Sequence, residues 1–376
     1  MRSSLAYLTP AASLLVLSLA ACGGDDGGGN PDAGLPPLTN ATSLACPAPG
    51  ALPFRLASTG FLSLDNQKLA TADPQNKDEA SDAIGNPGGP IANVYIEDAA
   101  TPSDTAPGFV GRKARTTPDA GLLSNPLPAE NVSLWFYDTA GKAWQSEGTG
   151  KTDIAGAYKL TASGSVAPNG EPVYAMLDAD GSCAVHYNYL YPAGTKVVVV
   201  DIDGTLTTDN QQIIMQLTNE AYVPKMMTAG NAMVTEWVKK GYPVIYLTAR
   251  IHTYRPESRS WLASQGFPRG PMITENGGEK ADVYKTNWLT RMKTTFGWDI
   301  VAAYGNEQTD LDAYHNVGVP AAQTFIIGPL GDTPTTPAST SIPGMDYTAH
   351  ITSYIDAQPD VTPAPPGTGP AAAMLH

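Results

Sequence analysis

Four consecutive valines, Val197–Val200, constrain the fold of this chain more than any other stretch. β-branched residues without a polar interruption favour a strand that is buried on both faces, as in a parallel sheet. Segments with helical spacing, such as Met233 and Trp237, alternate with further short apolar runs after the valines. This alternation predicts an α/β domain with helices on both faces of a parallel sheet. The predicted helices cover 232–240, 257–265 and 281–296, and the predicted strands cover 197–200, 243–247, 272–274, 300–304 and 324–327.

The segment before the valines carries a different pattern. Short stretches rich in β-branched and aromatic residues are separated by turn-forming clusters such as Asp138–Gly141, and no helical period of useful length occurs. This pattern predicts a small antiparallel β-sandwich over residues 91–194, with strands at 132–137, 158–160, 173–177 and 184–190. No cluster of chemically active residues falls within it, so its expected role is support.

The first residues predict a compartment. Residues 1–21 are typical of a secretory signal, because a positive start precedes an apolar stretch that ends in small residues. The sequence Leu19-Ala-Ala-Cys22 resembles the lipobox of bacterial lipoproteins, in which cleavage leaves the cysteine as a lipidated N-terminus. An ordinary signal peptide with an incidental cysteine is the alternative. The expectation is an exported bacterial lipoprotein, anchored to a membrane through lipid on Cys22 at the periplasmic face or the cell surface.

The remaining segments complete the predicted organisation. Residues 22–50 are rich in Gly and Pro and bury too little apolar surface to fold, which predicts a flexible tether. We expect residues 51–90 to be largely loop, 195–356 to form the α/β domain, and the Ala/Pro/Gly-rich residues 357–376 to be a disordered tail.

Charge and cysteine usage exclude some classes of protein. The net charge of −14 argues against nucleic-acid binding, which depends on a basic surface. Residues 196–332 contain 12 Lys and Arg and 14 Asp and Glu, a balance of −2, so most of the acidic excess lies elsewhere. In an oxidising compartment Cys46 and Cys183 can form a disulfide or remain two thiols, and the sequence leaves both open. The sequence does not indicate an oligomeric state.

Polar clusters follow the predicted parallel strands at their carboxyl ends, where open α/β sheets bind ligands. They are Asp201–Thr207, Thr248–Arg250, Lys285 on a predicted helix, and Gly305–Asp310. The clusters come from different strands, and we expect them to converge.

The residue types in these clusters suit the cleavage of a phosphate ester. A carboxylate such as Asp201 can attack phosphorus and form an aspartyl-phosphate. The attack requires a cation, and Mg²⁺ accepts a shell of one or two carboxylates, waters and phosphate oxygens, to which Asp201, Asp310 and Asn306 can contribute. Asp203, two residues after Asp201, can protonate the leaving oxygen and later activate water.

Four further residues lie in or near these clusters. The hydroxyl of Thr248 and the ammonium of Lys285 can hold and neutralise the phosphoryl oxygens. Arg250 can contact phosphate or brace its loop, and His252 is expected to be a packing or rim residue. A second Asp-x-Asp-Gly sequence at 178–181 lacks the accompanying clusters and is predicted to be a plain turn.

Together, Asp201–Thr207, Thr248, Lys285 and Gly305–Asp310 resemble the four motifs of the haloacid-dehalogenase-like phosphatases. The resemblance covers 196–331. Five stretches resemble one branch of these phosphatases more specifically, the catalytic domain of lipin-type phosphatidate phosphatases. That domain is shared with the membrane-associated phosphatidylinositol-transfer proteins. The five stretches are residues 200–207, 241–250, 270–273, 303–310 and 317–320.

The resemblance implies a Rossmann-like haloacid-dehalogenase domain that uses Mg²⁺ to convert phosphatidate, a phospholipid, to diacylglycerol. It implies that Asp201 is the nucleophile and Asp203 the acid and base. The implied phosphate-binding residues are Gly204, Thr205, Thr248 and Lys285, and the implied metal ligands are Asp201, Asp203, Asn306 and Asp310.

The chain departs from the lipin pattern at two points. The position of Thr248 is more often serine, a change that keeps the hydroxyl. Neither the N-terminal amphipathic helix nor the basic tract of lipins is visible, and a lipid anchor could replace them. Some relatives in the transfer-protein branch lack the carboxylate pair, whereas both aspartates are present here.

Three functions remain open at this point. The first is a membrane-tethered phosphatidate phosphatase, the second a phosphatase for soluble phosphomonoesters such as nucleotides, and the third a non-catalytic surface module that binds lipid or protein. The stretch of about 44 residues between Asp203 and Thr248 is mostly accounted for by one or two helices, so it leaves no room for a large cap domain. An open site would suit a bulky or membrane-embedded phosphate.

Overall fold

The structure is a computed structural model that describes residues 76–361 with gaps. Cys22, Cys46, His252 and the predicted turn at 178–181 lie outside the described residues, as does most of the predicted tail. The gaps fall at 82, 86–107, 117–123, 127, 139, 155, 164, 166, 169–170, 178–182, 220–221, 252–253 and 276–278.

The described elements follow the order predicted for a β-rich segment and a later α/β segment. The strands are β1 Asn76–Ser81, β2 Ala83–Gly85, β3 Gly108–Thr116, β4 Ser124–Pro126, β5 Asn131–Asp138, β6 Ala143–Lys151, β7 Ala157–Thr161, β8 Pro172–Leu177, β9 Cys183–Leu190, β10 Lys196–Val200, β11 Val244–Ile251, β12 Met272–Glu275, β13 Asp299–Gly305, β14 Thr324–Ile327 and β15 Thr340–Ile342. The helices are α1 Gln212–Thr218, α2 Gly230–Lys239, α3 Arg255–Ser264, α4 Ala281–Thr294, α5 Gln308–Asn316 and α6 Thr348–His350, with short turns of other helix types at Ala321–Gln323, Pro343–Met345 and Ile351–Ile355.

The α/β segment contains a six-stranded sheet in the order β12-β11-β10-β13-β14-β15, and all its neighbouring strands are parallel. The fold class predicted from the sequence is therefore confirmed. The chain builds outward from β10 on one side through β11 and β12, and on the other side through β13, β14 and β15. The strand order thus reverses beside β10, which is where ligands bind in such sheets.

The valine run explains the central position of β10. Val198 and Val200 belong to one apolar core together with Trp237 of α2. Val197 and Val199 belong to a second core on the opposite face. All four valines are fully buried, so the strand is covered on both faces as its composition predicts.

Four elements of the α/β segment have no counterpart among the predicted helices and strands, namely α1, α5, α6 and β15. Helix α1 lies between the first two predicted strands, α5 follows β13, and β15 adds an edge strand to the sheet. The sequence of α5, QTDLDAYHN, has too few apolar residues to show a helical stripe, although Leu311 and Tyr314 are buried. Strand β11 extends to Ile251, beyond the predicted end at 247.

The preceding segment contains two packed sheets, which confirms the β-sandwich. One sheet pairs β3 with β1, β4 and β7, and the other has the order β2-β9-β8-β5-β6. Their facing side chains form a core that includes Phe109, Leu134, Tyr158 and Val173. Two details differ from the prediction. Strands β1 and β2 lie within 51–90, which was expected to be largely loop, and β2 pairs with β9 in parallel.

Strand β9 is shared between the two segments. Tyr187, Tyr189 and Tyr191 are fully buried and belong to the same core as Val197 and Val199 of the parallel sheet. His186, on the opposite face of β9, lies against Phe109 and Tyr158 in the sandwich. The Tyr158 hydroxyl and His186 Nε2 are 2.9 Å apart. One strand therefore supplies side chains to two cores.

The last described residues pack against α2. The Val361 N–H donates to the Lys240 carbonyl at 2.8 Å, and the Tyr242 hydroxyl donates to the Pro359 carbonyl at 2.8 Å. Residues 357–361 are therefore ordered, contrary to the prediction of a disordered tail from 357 onward. Among the residues that the structure describes, no helix has the length and apolar character needed to cross a membrane.

Candidate active site

A cavity of about 500 Å³ opens at the carboxyl ends of β10, β11 and β13, where the strand order reverses. Four of the predicted polar clusters contribute to it, so their expected convergence is observed. The lining residues are Asp201, Asp203, Asn210, Ile213, Ala249, Arg250, Ile251, Tyr254, Ala281, Lys285, Asn306, Glu307, Thr309 and Asp310.

The centre of the cavity is an ion-paired triad of Asp201, Lys285 and Asp310. The Lys285 Nζ donates to Asp201 Oδ1 at 2.6 Å and to Asp310 Oδ1 at 2.5 Å. All three side chains are at least nine-tenths buried. Asp201 directly follows β10, Lys285 lies in the second turn of α4, and Asp310 lies in the first turn of α5. Three separate elements thus bring two acids and one base to a single point.

Burial and charge set the ionisation of this triad. Burial raises the pKa of Asp201, the Lys285 ammonium lowers it, and the carboxylates of Asp310 and Asp203 raise it. Together these effects raise the pKa of Asp201 to about 7. Burial lowers the pKa of Lys285, but the two carboxylates outweigh burial and raise it well above its usual value. The lysine is therefore a fixed positive charge between the two acids.

Asp310 is held by the start of α5. Its Oδ2 accepts the N–H groups of Asn306 at 3.0 Å and Glu307 at 3.1 Å. Glu307 and Asp310 form a reciprocal capping box at the N-terminus of the helix. This leaves Oδ1 of Asp310 directed to Lys285. Gly305 permits this close approach, since a Cβ there would lie 2.4 Å from the Asp310 Cβ.

The loop after β10 is tied to the loop after β13. The Thr205 hydroxyl lies 3.2 Å from Asp201 Oδ2 and 3.3 Å from Asn306 Oδ1. Gly204 has a φ of +69°, and a Cβ at this position would lie 2.0 Å from the Asn306 amide nitrogen. The glycine is therefore required both by its backbone conformation and by the neighbouring side chain.

Arg250 braces Asp203. Its Nη2 and Nε donate to Asp203 Oδ1 at 2.7 Å and Oδ2 at 2.8 Å, which is a bidentate pair. Its Nη1 donates to the Ser258 hydroxyl at 2.8 Å, and the arginine side chain is only 2% exposed. The sequence left open whether Arg250 contacts phosphate or braces its loop. In the structure all three nitrogens contact protein groups, so bracing is what is observed.

Thr248 stands apart from the predicted set. It is fully buried, its hydroxyl accepts the Arg250 N–H at 3.2 Å, and it is not among the cavity-lining residues. Gly204 and Thr205 also lie behind the cavity wall, where the Gly204 N–H donates to the Thr207 hydroxyl at 3.0 Å. The phosphate-binding roles of these three residues stay predictions.

The donor chemistry of the cavity fits a divalent cation, with a smaller set of side chains than predicted. Within the described ranges, no three Asp, Glu, His or Cys side chains cluster closely enough to hold a metal. Asp203 is paired with Arg250, which leaves the carboxylates of Asp201 and Asp310. Two carboxylates already share one positive charge, that of Lys285, and Mg²⁺ in proteins is commonly held by one or two carboxylates together with waters and phosphate oxygens.

The sequence analysis missed several residues that line the cavity. Asn210 donates to Glu307 Oε1 at 2.8 Å and accepts from the Asn306 amide at 3.0 Å. Ile213 and Tyr254 supply apolar wall. The capping box of Glu307 and Asp310 could have been found from its spacing before a helix. No local signal points to the other three. Asn210 and Ile213 reach the site through α1 and the loop before it, and Tyr254 reaches it from the start of α3.

Comparison with known proteins agrees with the location of this cavity. Residues 198–328 match the family described as PITM 1-3, LNS2 domain. This region contains the triad and the Asp203–Arg250 pair. The match covers about a third of the chain.

Three curated relatives are similar to part of this chain. Protein retinal degeneration B of Drosophila melanogaster is 29% identical over 60% of this chain and 17% of its own length. Human membrane-associated phosphatidylinositol transfer protein 3 is 28% identical over 42% of this chain and 15% of its own length. Human phosphatidate phosphatase LPIN2 is 27% identical over 38% of this chain and 18% of its own length. The chain thus spans less than a fifth of the length of these relatives.

Residues 198–328 are thus similar to the LNS2 domain family, and part of this chain is similar to a protein that carries the name phosphatidate phosphatase.

Proposed function

We propose that this protein is a membrane-tethered, Mg²⁺-dependent phosphatase that hydrolyses a phosphomonoester, with phosphatidate as the substrate and diacylglycerol as the product. The observation that carries the proposal is the buried triad of Asp201, Lys285 and Asp310 at the wall of an open cavity, with Asp203 beside it. A relative that carries the name phosphatidate phosphatase is similar to 38% of this chain, which also supports the proposal.

The first chemical step is attack by a carboxylate oxygen of Asp201 on phosphorus. The bond from phosphorus to the ester oxygen breaks, and an aspartyl-phosphate forms. Lys285 lies against the attacking carboxylate, so its fixed charge opposes the repulsion between carboxylate and phosphate. A carboxylate must be ionised to attack, and the pKa of about 7 at Asp201 means that a bound cation would favour the reactive form.

Asp203 transfers the protons. As an acid it gives a proton to the departing oxygen, and as a base it takes a proton from the water that cleaves the aspartyl-phosphate, which releases inorganic phosphate and restores Asp201. In the structure both oxygens of Asp203 accept from Arg250. One of them must leave this fork to carry a proton, so Arg250 holds Asp203 in a resting position.

Asp201 and Asp310 are the residues that would hold Mg²⁺. When bound, the ion neutralises phosphate charge and helps to orient the ester. Asn306, which was predicted as a ligand, shares its Oδ1 with the Thr205 hydroxyl and supports the loop.

Two observations favour a lipid over a small soluble ester. Between Asp203 and Thr248 the described chain contains two helices of seven and ten residues and no separate cap, so the cavity stays accessible to a large molecule. The relatives with the names LPIN2 and phosphatidylinositol transfer protein concern phospholipids. The lipid anchor proposed at Cys22 would keep the cavity near a bilayer.

Phosphate release by the full chain tests this proposal. Asp201→Asn should lower kcat by at least about a thousandfold, because the amide is not a nucleophile. Asp299→Asn, at an exposed carboxylate that begins β13, is the control and should retain activity. Chelation should remove activity and Mg²⁺ should restore it. Asp201→Asn turnover near that of the wild type would refute the mechanism.

The substrate is tested in the same assay. We expect kcat/KM for phosphatidate in mixed micelles to exceed that for nucleoside monophosphates by at least about tenfold, or about 1.4 kcal/mol. Equal or reversed values would assign the enzyme to soluble phosphomonoesters.

A second function is phospholipid binding without turnover. It is favoured by the matches to proteins named for phosphatidylinositol transfer, which extend over more of the chain than the match to LPIN2. Under this function, wild type and Asp201→Asn would both bind phosphatidate vesicles, and neither would release phosphate.

A further inference from the structure

The side chain of Tyr347 reaches the loop that carries the catalytic carboxylates. Tyr347 lies between β15 and α6, near the end of the described chain, and it is fully buried. Its hydroxyl donates to the Thr205 carbonyl at 3.1 Å. The tyrosine lies outside residues 198–328, the region that matches the LNS2 domain family. A segment beyond the matched region therefore contacts the loop that follows β10.

No backbone group duplicates this contact. Among the described residues, the Tyr347 hydroxyl is the only donor that bonds to the Thr205 carbonyl. Burial raises the pKa of Tyr347 well above its usual value, and the Asp201 carboxylate adds to this effect, so the hydroxyl keeps its proton. Thr205 is itself fully buried, so its carbonyl would have no partner without the tyrosine. A buried carbonyl without a donor is unfavourable, and its peptide group would move to find one.

Thr205 connects this hydrogen bond to the proposed nucleophile. Its hydroxyl lies 3.2 Å from Asp201 Oδ2 and 3.3 Å from Asn306 Oδ1, so one proton serves both oxygens. The other carboxylate oxygen, Asp201 Oδ1, accepts from Lys285. Both oxygens of Asp201 are therefore held. A shift of the Thr205 peptide would carry its hydroxyl away from Oδ2 and leave the carboxylate free to turn about its Cβ–Cγ bond.

Other contacts fix Tyr347 without its hydroxyl. The Tyr347 N–H donates to the Thr228 carbonyl at 3.1 Å. The preceding residue of that segment, Met227, donates its N–H to the Leu206 carbonyl at 2.7 Å. The ring of Tyr347 packs edge-to-face on the ring of Tyr304, with centroids 6.1 Å apart. Tyr347→Phe would keep these contacts and remove the hydroxyl alone.

We propose that Tyr347 is a positioning residue for the phosphatase reaction. Its hydroxyl holds the Thr205 peptide, so that the Thr205 hydroxyl stays against Asp201 and keeps the carboxylate oriented for attack. Tyr347 is not among the cavity-lining residues, so it acts through Thr205 rather than by touching the substrate. For the role of Asp201 as nucleophile the inference rests on the proposed function, whereas the hold on the loop does not.

Steady-state kinetics of Tyr347→Phe in the full chain test the consequence for the reaction. We expect kcat for phosphatidate in mixed micelles and for para-nitrophenyl phosphate to fall by at least about tenfold, with KM within about twofold. The reason is that a misplaced nucleophile slows the chemical step and leaves the binding of the ester unchanged. A rise in KM with an unchanged kcat would overturn the proposal.

Tyr246→Phe is the matched control. Tyr246 is also fully buried, its hydroxyl donates to the Pro268 carbonyl at 2.6 Å, and it does not line the cavity. The control therefore loses the same kind of hydrogen bond at another place in the same segment. Its kcat should stay within about twofold of the wild type. An equal fall in kcat for both variants would make the Tyr347 hydroxyl a general structural contact and overturn the proposal.

Thr205→Val tests the route from Tyr347 to Asp201. Valine keeps the shape of threonine and the main-chain carbonyl but has no hydroxyl. If the tyrosine acts through the Thr205 hydroxyl, addition of Tyr347→Phe to Thr205→Val should lower kcat by less than about twofold further. A further tenfold fall would show that the two side chains act independently, and it would overturn this route.

Hydrogen exchange tests the hold on the loop without depending on catalysis. Followed by mass spectrometry, Tyr347→Phe should speed the amide exchange of peptides that cover residues 201–208, and Tyr246→Phe should not. Unchanged exchange in Tyr347→Phe would overturn the proposal. If the wild type hydrolyses no phosphomonoester, the proposed function fails, and the exchange measurement alone then decides whether Tyr347 holds the loop. The failure of one proposal is thus distinguishable from the failure of the other.

Discussion

Replacement of Lys285 by methionine removes the only cation that the structure places between Asp201 and Asp310. Methionine has a similar length and leaves two buried carboxylates, 5% and 1% exposed, close to the same point without a positive charge. Removal of one partner from a buried ion pair typically costs about 3–5 kcal/mol. We expect a loss of stability of this size, which corresponds to a decrease in Tm of roughly 6 °C or more for a domain of this kind.

The deficit should depend on pH. Burial already raises the pKa of Asp201 above its unfolded value of 3.8, and loss of the ammonium raises it further. A carboxyl whose pKa is raised in the folded state contributes stability at low pH that is lost as the pH rises through the folded pKa. The deficit of Lys285→Met should therefore be smaller at about pH 5 than at about pH 8, since one carboxyl can take up a proton at the lower pH.

Thermal unfolding followed by circular dichroism at both pH values, with a chelator present, measures this effect. Lys239→Met is the matched control, because Lys239 is 61% exposed and pairs with Glu236 on the surface, where such pairs contribute about 0–1 kcal/mol. A Tm for Lys285→Met within about 2 °C of the wild type at pH 8 would refute the reasoning. A deficit that is larger at pH 5 would contradict the role of the carboxylates.

Three further perturbations test other parts of the chain. Burial raises the pKa of Glu147 to about 8, although the hydrogen bond from the Ala167 N–H lowers it. The free energy of unfolding should therefore fall as the pH rises from about 4.5 to about 8. Glu147→Gln should remove roughly 3–5 kcal/mol of this pH dependence, as urea titrations would measure. Gly204→Ala should lower the free energy of unfolding by more than about 1 kcal/mol, and by more than Gly194→Ala does. Gly194 has a φ of +81°, but no atom lies within 4 Å of the position of a Cβ there. Equilibrium unfolding measures both variants. Cys22→Ser should move the protein from the membrane fraction to the soluble fraction or leave the signal uncleaved, and unchanged partition would exclude the lipid anchor.

The sequence predicted the elements whose burial is continuous along the chain. The valine run of β10 indicates a strand that is buried on both faces, because alternate valines contact opposite cores. The apolar stripe of α2 indicates a helix with one buried face, because every third or fourth residue contacts a core. Helix α5 was not predicted because a capping box stabilises it and its buried apolar residues are only Leu311, Ala313 and Tyr314, which are too few to show as a stripe in the sequence.

The candidate site was predictable in its composition and only partly in its geometry. Strand ends indicated that Asp201, Lys285 and Asp310 would meet. The sequence could not show that Lys285 would bridge the two acids, since that contact depends on how α4 and α5 pack. It also could not decide between phosphate and Asp203 as the partner of Arg250, because one guanidinium suits both anions equally well.

Strand β9 changes what counts as a separable part of this protein. Its tyrosines at 187 and 189, and Tyr191 directly after the strand, belong to the core of the parallel sheet. The ring centroids of Tyr191 and Trp298 lie 5.5 Å apart. A fragment that starts at residue 195 would lack these tyrosines and expose to water the apolar surface that they cover, which includes Trp298. An apolar patch of this kind favours association, so the excised α/β segment should aggregate. Strand β9 therefore belongs to the folding unit of the α/β segment as well as to the sandwich.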